Sequence, residues 1–163
     1  MRWGFLFKGG FMAVTTKKGC LIEGFKAGEV EAIAHQANCM NTMGSGVAKA
    51  LRAEWPQVYE ADCQTIKGDM NKLGTLSMTI CEHGPIFNLY GQYDYGREKG
   101  VTYTRLEALD EALRIMRLFV DAGEHKSVGF PKLGAGLGGA KWADVEALIV
   151  KHFGGIDVTI YVK

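Results

Sequence analysis

Proline and cysteine are scarce, neither sign of charge forms a run, and no long apolar stretch occurs; each shortage removes a class of protein. Three prolines in 163 residues leave no Pro-rich linker. With no internal repeat or low-complexity tract either, nothing divides the chain into domains. The four cysteines, Cys20, Cys39, Cys63 and Cys81, show neither a CxxC pair nor zinc-site spacing, which argues against a disulfide framework and for reduced thiols in a cytoplasmic protein. Phe5, Leu6 and Phe7 before Lys8 are too short a run for a signal-peptide core, and nothing approaches the roughly 20 apolar residues of a membrane span, so no membrane partner is expected. Lysine and arginine total 19 against 18 acidic residues, with no basic run to track a polymer backbone, so a long nucleic acid is not the expected partner. A small anion stays open, because backbone amides bind phosphate without contributing net charge. No carboxylate cluster suggests a magnesium site; no cofactor or metal is expected, and we expect a monomer.

Apolar residues make up 47% and charged residues 23%, the balance of a globular domain. Strand patterns cover residues 12–16 and 31–35, the second running into the turn-prone QANCMNTMGSG. A helix over 45–54 would place Val47, Ala50 and Leu51 on one face, and Pro56 opens another whose stripe continues through Val58, Tyr59, Cys63 and Ile66. Leu76, Met78 and Ile80 alternate with polar residues, and the EHGP turn leads into a strand over 86–90, which predicts two neighbouring strands. Thr104 and Glu107 form a capping-box pattern before a long helix carrying Leu106, Leu109, Leu113, Met116 and Val120. A strand over 127–133, a helix over 141–153 and a β-branched strand over 156–162 complete the chain. Alternating strands and helices predict an α/β fold with a largely parallel sheet covered on both faces. We take 12–163 as the domain and 1–11 as an N-terminal extension, with Met12 as an alternative start to Met1.

Two glycine-rich segments each follow a strand and precede a helix. The first holds Gly44, Ser45 and Gly46; the second runs Gly134, Ala135, Gly136, Leu137, Gly138, Gly139. Glycine lets backbone approach a phosphate closely, and amides at the following helix N-terminus face it, so the pair reads as two sides of a diphosphate site. The second also fits GxGxxG, but only one strand follows it and no acidic residue stands at that strand's end to hold a ribose, which counts against a dinucleotide-binding oxidoreductase. Tight turns without a ligand are the plainer alternative.

EAIAHQANCMNTMGSGVAKAL resembles the first signature segment of the macro domain family, and PKLGAGLGGAKW resembles its second phosphate loop; with the closing VTIYVK the resemblance covers 12–163. It implies a three-layer α/β/α macro-domain fold with a mixed, largely parallel central sheet, binding ADP-ribose or a derivative at the carboxyl ends of the strands. On the matching positions, Asn38 would bond the distal ribose, although an Asx turn closing the strand also explains it. Gly44, Ser45, Gly46 and Val47 would form the first phosphate loop, and Gly134, Ala135, Gly136, Leu137 and Gly138 the second. Tyr161 would pack on adenine, or else sit in the sheet core.

The chain departs from the family pattern at informative places. Lys18, Gly19 and Cys20 stand where many members have Lys-Gly-Asp; a thiol is a poor acceptor, so adenine would be read by backbone groups near Leu21 and Ile22. Gln92 and Gly138 replace the lysine and aspartate of one ADP-ribosyl hydrolase branch, so that mechanism does not carry over. His35, in HQAN, is similar to the branch that hydrolyses ADP-ribose 1''-phosphate, the branch this chain resembles most. There it would act as nucleophile or general acid/base without a metal, and the loop over 88–97 would close over the distal ribose and its phosphate, with Gln92 binding the ligand, Asp94 orienting a water or the histidine and Arg97 a phosphate. A structural, hydrogen-bonded histidine is the alternative. The expected activity is thus hydrolysis of ADP-ribose derivatives, against a non-catalytic ADP-ribose reader or a glycohydrolase acting on modified protein or nucleic acid.

Overall fold

The computed structural model describes residues 3–7 and 10–163, with side chains from residue 14 onward. Its elements run β1 (Trp3–Phe7), β2 (Gly10–Lys18), α1 (Leu21–Lys26), β3 (Ala32–Ala37), α2 (Gly46–Glu54), α3 (Pro56–Cys63), a 3₁₀ turn (Met70–Lys72), β4 (Leu76–Cys81), β5 (Gly84–Tyr90), α4 (Leu106–Ala122), β6 (Ser127–Phe130), α5 (Trp142–His152) and β7 (Asp157–Val162). The strands form one sheet in the order β1-β2-β7-β6-β3-β5-β4. The five central strands are parallel, and the edges β1 and β4 run antiparallel to their neighbours. Alternate residues of β3 explain the layers: Ala32 and Ala34 pack under α4 and α5, while Ile33 faces α1, α2 and α3. The α/β class and the three layers agree with the sequence pattern.

The long helix α4 buries Leu109, Leu113, Met116 and Val120 completely; such side chains contribute roughly 1.5–3 kcal/mol each. Its capping box is absent. Arg105 is the N-cap residue, without a side-chain cap, because the Thr104 hydroxyl donates instead to the Gly134 carbonyl at 2.9 Å. On α2, Leu51 is buried but Ala50 turns outward. On α3 the predicted stripe fails after Tyr59: Cys63 and Ile66 are exposed, and the buried residue is Asp62. Pro131 follows β6 where the sequence predicted a strand to residue 133. The predicted patterns contained neither α1 nor β1; β1 lies within the segment taken as an extension.

Asp62 belongs to a buried polar chain beneath α2 and α3. The Tyr90 hydroxyl donates to Asp62 Oδ1 at 2.7 Å, and Ser77 Oγ lies 2.8 Å from the same hydroxyl. Ser77 Oγ accepts from Asn88 Nδ2 at 3.0 Å, which leaves Asn88 Oδ1 to accept from His35 Nε2 at 2.5 Å. The donors thus point one way, from His35 to a carboxylate, and the order fixes the proton of His35 on Nε2. On the other side of Tyr90, the Lys72 ammonium sits 4.8 Å from the ring centroid. It donates to Cys39 O at 3.2 Å and to Asn41 Oδ1 at 2.5 Å. Burial lowers the pKa of Lys72 and raises that of Asp62.

Two outcomes follow from this chain. Lys72→Met leaves two buried acceptors and Asp62 without their cation and should cost roughly 2–4 kcal/mol in urea unfolding; a loss below about 0.5 kcal/mol would show that the ammonium holds nothing. His35 is driven by burial from 6.5 to about 4, so its contribution is whole above pH 6.5 and is lost as pH falls from 6.5 towards 4. The loss is up to roughly 3 kcal/mol. His35→Gln, which keeps a donor for Asn88, should flatten that part of the stability profile relative to wild type.

Candidate functional site

The carboxyl ends of β3, β5 and β6 lie on one edge of the sheet, and the segments leaving them enclose a cavity of about 770 Å³. Its floor is formed by residues 35–38, one wall by 41–48, another by 131–134 and 136–138, and a third side by Gln92, Tyr95, Gly96 and Arg97. A cleft of this size at the carboxyl edge of a parallel sheet is the usual place for a small ligand.

Both glycine loops present backbone to it. Gly46 begins α2 at φ +58, and its N-cap Ser45 makes no side-chain cap. The first-turn amides of Gly46, Val47 and Ala48 have no partner among the described residues, and no acidic residue occupies that turn; both features suit an anion. In the second loop Ala140 N bonds Gly134 O, while Tyr103 N and Thr104 N bond Gly138 O. The amides of Gly136, Leu137 and Gly138 have no partner among the described residues.

The loop glycines divide by what surrounds them. A Cβ on Gly138 would collide with the Thr104 hydroxyl and the Gly134 backbone, and Gly134, at φ +65, lies against Thr104 and Gln36; these two shape the loop. Gly44 and Gly136 have no atom within 4 Å of a Cβ and no left-handed backbone. Their missing side chains leave room in the cleft rather than in the fold.

Twelve of the expected site residues line the cavity: His35, Asn38, Gly44, Ser45, Gly46, Val47, Gln92, Arg97, Gly134, Gly136, Leu137 and Gly138. Asn38 also closes its own turn, accepting from Met40 N at 2.8 Å and donating to Thr42 Oγ1 at 2.8 Å. Leu21, Ile22, Asp94, Ala135 and Tyr161 do not line it. Tyr161 is a core residue: its ring fills the space beside Gly24 and Gly129, and its hydroxyl donates to Glu29 at 2.9 Å. Leu21 and Ile22 turn their side chains into the same core. Asp94 and His35 share neither a hydrogen bond nor the cavity lining among the described residues. The Asp94 carboxylate accepts from Tyr95 N at 2.8 Å, whereas the imidazole is 2% exposed on the floor and neutral at pH 7. Neutral imidazole can accept a proton through Nδ1 but has none to spare as a general acid.

Several lining residues carried no sequence signal. Gln36 Nε2 donates to Gln92 Oε1 at 2.7 Å and to Thr104 Oγ1 at 2.8 Å, tying the third side to the second loop. Arg52 and Tyr59 come from the helices beyond the first loop, and Lys132 precedes the second. Arg52, Arg97 and Lys132 are the cations of the lining, which contains no carboxylate, although the whole chain is nearly balanced. Only the fold could bring these scattered positions together.

The Macro domain family model matches residues 34–149. A 17.5 kDa protein of the tk-vs intergenic region of Enterobacteria phage T4 is 32% identical over 158 residues, 91% of this chain and 96% of that protein. A DNA ADP-ribosyl glycohydrolase of Thermus aquaticus is 25% identical across 81% of this chain, which spans only 37% of that relative. An ADP-ribose 1''-phosphate phosphatase of Scheffersomyces stipitis is 26% identical over 82% of this chain and 88% of its own length. In fold, the chain is similar to Thermosipho africanus DarTG in complex with ADP-ribose, with a TM-score of 0.72 at 18% identity, over 99% of this chain and 43% of that one. With more than two thirds of its length matched by the family model and a relative above 30% identity along nearly all of it, this chain belongs to the macro domain family.

Proposed function

We propose that this macro domain binds ADP-ribose across the cleft and hydrolyses ADP-ribose derivatives at the distal ribose, with ADP-ribose 1''-phosphate as the leading substrate. The observation that carries the reading is a cleft of about 770 Å³ lined by two sets of free backbone amides and three cations with no carboxylate. A diphosphate fits between the first turn of α2 and the amides of residues 136–138. The adenosine then lies towards β6 and β7, near Pro131 and Lys132. The distal ribose lies towards Asn38, Asn41 and the Gln92–Arg97 side. The S. stipitis relative supports the phosphatase reading by its name.

The chemistry available there is positioning plus one imidazole. Water adds to phosphorus, the bond from phosphorus to the ribose oxygen breaks, the proton lost by water passes to His35 Nδ1, and the imidazolium so formed returns it to the departing ribose oxygen, which leaves as a hydroxyl. Asp94 would take part only by giving up its bond to Tyr95. Two other readings have their own support. A non-catalytic reader is favoured by the lack of any carboxylate in the lining, and a glycohydrolase on ADP-ribosylated nucleic acid by the name of the Thermus relative.

Calorimetry should find one ADP-ribose site per chain. Gly136→Val should abolish that binding with unchanged thermal stability, because the branched side chain enters open cleft space; unchanged affinity would remove the second loop from the site. Turnover is measured as phosphate release from ADP-ribose 1''-phosphate in excess chelator, alongside ADP-ribose release from modified DNA. Wild type should release phosphate, and His35→Ala should lose roughly 10²-fold or more in rate. Equal rates would dismiss His35, release from DNA alone would establish the glycohydrolase, and no turnover on either would establish the reader.

A further inference from the structure

The cleft does not end at the first loop. Its wall of Met43, Gly44, Arg52 and Tyr59 is shared with a second depression of about 580 Å³ that runs along the outside of α2 and adds Lys49. Glu60 is the single carboxylate there. We propose that this groove is a subsite for a phosphate that the ligand carries beyond its diphosphate, recognised by Arg52 with help from Lys49. The inference rests on the reading of the main cleft as an ADP-ribose site.

Arg52 is held in position without using its hydrogen-bonding capacity. Its guanidinium carbon lies 3.7 Å from the Tyr59 ring centroid, and the Tyr59 hydroxyl is itself tied to Asn41 O at 3.2 Å. Stacking orients the planar fork and leaves its N–H donors free for a bidentate acceptor. Other arginines and lysines on described helices pair with carboxylates: Lys26 with Glu54, Arg114 with Glu111, Arg117 with Asp121 and Lys151 with Asp110. Arg52 and Lys49 have no such carboxylate, although Glu54 lies on the same helix and is engaged by Lys26.

The position is also right for an extension of the ligand. The sheet order places β6 and β5 on opposite sides of β3; residues 131–133 leave β6, whereas α3, which carries Tyr59 and the Arg52 stacked on it, packs on β4 and β5. An ADP-ribose with its adenosine on the β6 side points its distal ribose to the β5 side, where the cleft opens into the groove. The backbone amides suffice for the diphosphate, and the free cations beyond them call for another anion. A monoester on the distal ribose and a phosphodiester beside an ADP-ribosylated nucleoside both supply it; an ADP-ribosylated protein side chain does not.

The test compares affinities, by calorimetry at matched ionic strength, for ADP-ribose, ADP-ribose 1''-phosphate and a short ADP-ribosylated oligonucleotide, with hydrolysis checked in each mixture. Wild type should bind at least one of the phosphate-bearing ligands about tenfold or more tighter than ADP-ribose, and that ratio should fall as salt rises. The ligand that shows the increment identifies the source of the phosphate. In Arg52→Gln the ratio should drop to about one, Arg52→Lys should keep only part of it, and Lys49→Gln should take a smaller share. A wild-type ratio near one for both ligands, or a ratio unchanged in Arg52→Gln, overturns the subsite while ADP-ribose binding itself stands. Absence of any ADP-ribose binding overturns the cleft reading and the subsite together.

Discussion

An amide that is to hold a phosphate must have no partner of its own, and a loop with unpartnered amides must be kept open by something other than its own hydrogen bonds. This constraint governs the site. At the first loop the buried Lys72 ammonium grips Cys39 O and Asn41 Oδ1 from below, holding a turn that passes through φ +55 at Asn41. At the second, Thr104 and Tyr103 engage the carbonyls of Gly134 and Gly138 from the side. In both places it is mainly carbonyls and side chains that are tied down, and amides are left over. Desolvated charge inside a domain is expensive unless well bonded, so Lys72 and Asp62 are intelligible here as the scaffold of a strained loop.

The electrostatic design is local. A chain with almost equal numbers of acidic and basic residues has little long-range field, yet the cleft lining carries cations alone. On the helices away from the site, Lys26, Arg114, Arg117 and Lys151 each have a carboxylate within 3.0 Å, whereas the cations of the cleft and of its continuation along α2 have none among the described residues, so the attraction for an anion there is undiminished at short range.

The residues made some of this legible and concealed the rest for definable reasons. The long stripe of α4, the adjacent β4 and β5 and the two glycine loops announce themselves by period and by position between strand and helix. α1 is short and has Gly24 at its centre, required by the Tyr161 ring, so it shows no helical stripe. Thr104 has the spacing of a cap but is claimed by a tertiary partner 30 residues on, and Asp62 replaces the expected apolar residue because Tyr90 and Lys72 lie opposite it. Asn38 and His35 were found by local motif, but what they bond to depends on Thr42 and Asn88, which no spacing rule supplies. Tyr161 shows the converse: the β-branched strand containing it was evident, but the direction in which its ring points was set by α1, an element the periodicity did not contain.

The open space around Gly44 and Gly136 separates two properties that most sites entangle. Substitution at either position changes what enters the cleft without touching a core contact or a bent backbone, whereas substitution at Gly134 or Gly138 must first be accommodated by the fold. Ligand preference in this scaffold can therefore drift by single side-chain additions along a nearly flat stability surface. Such a chain could exchange one ADP-ribosyl substrate for another, or close its cleft altogether, while remaining as well folded as before.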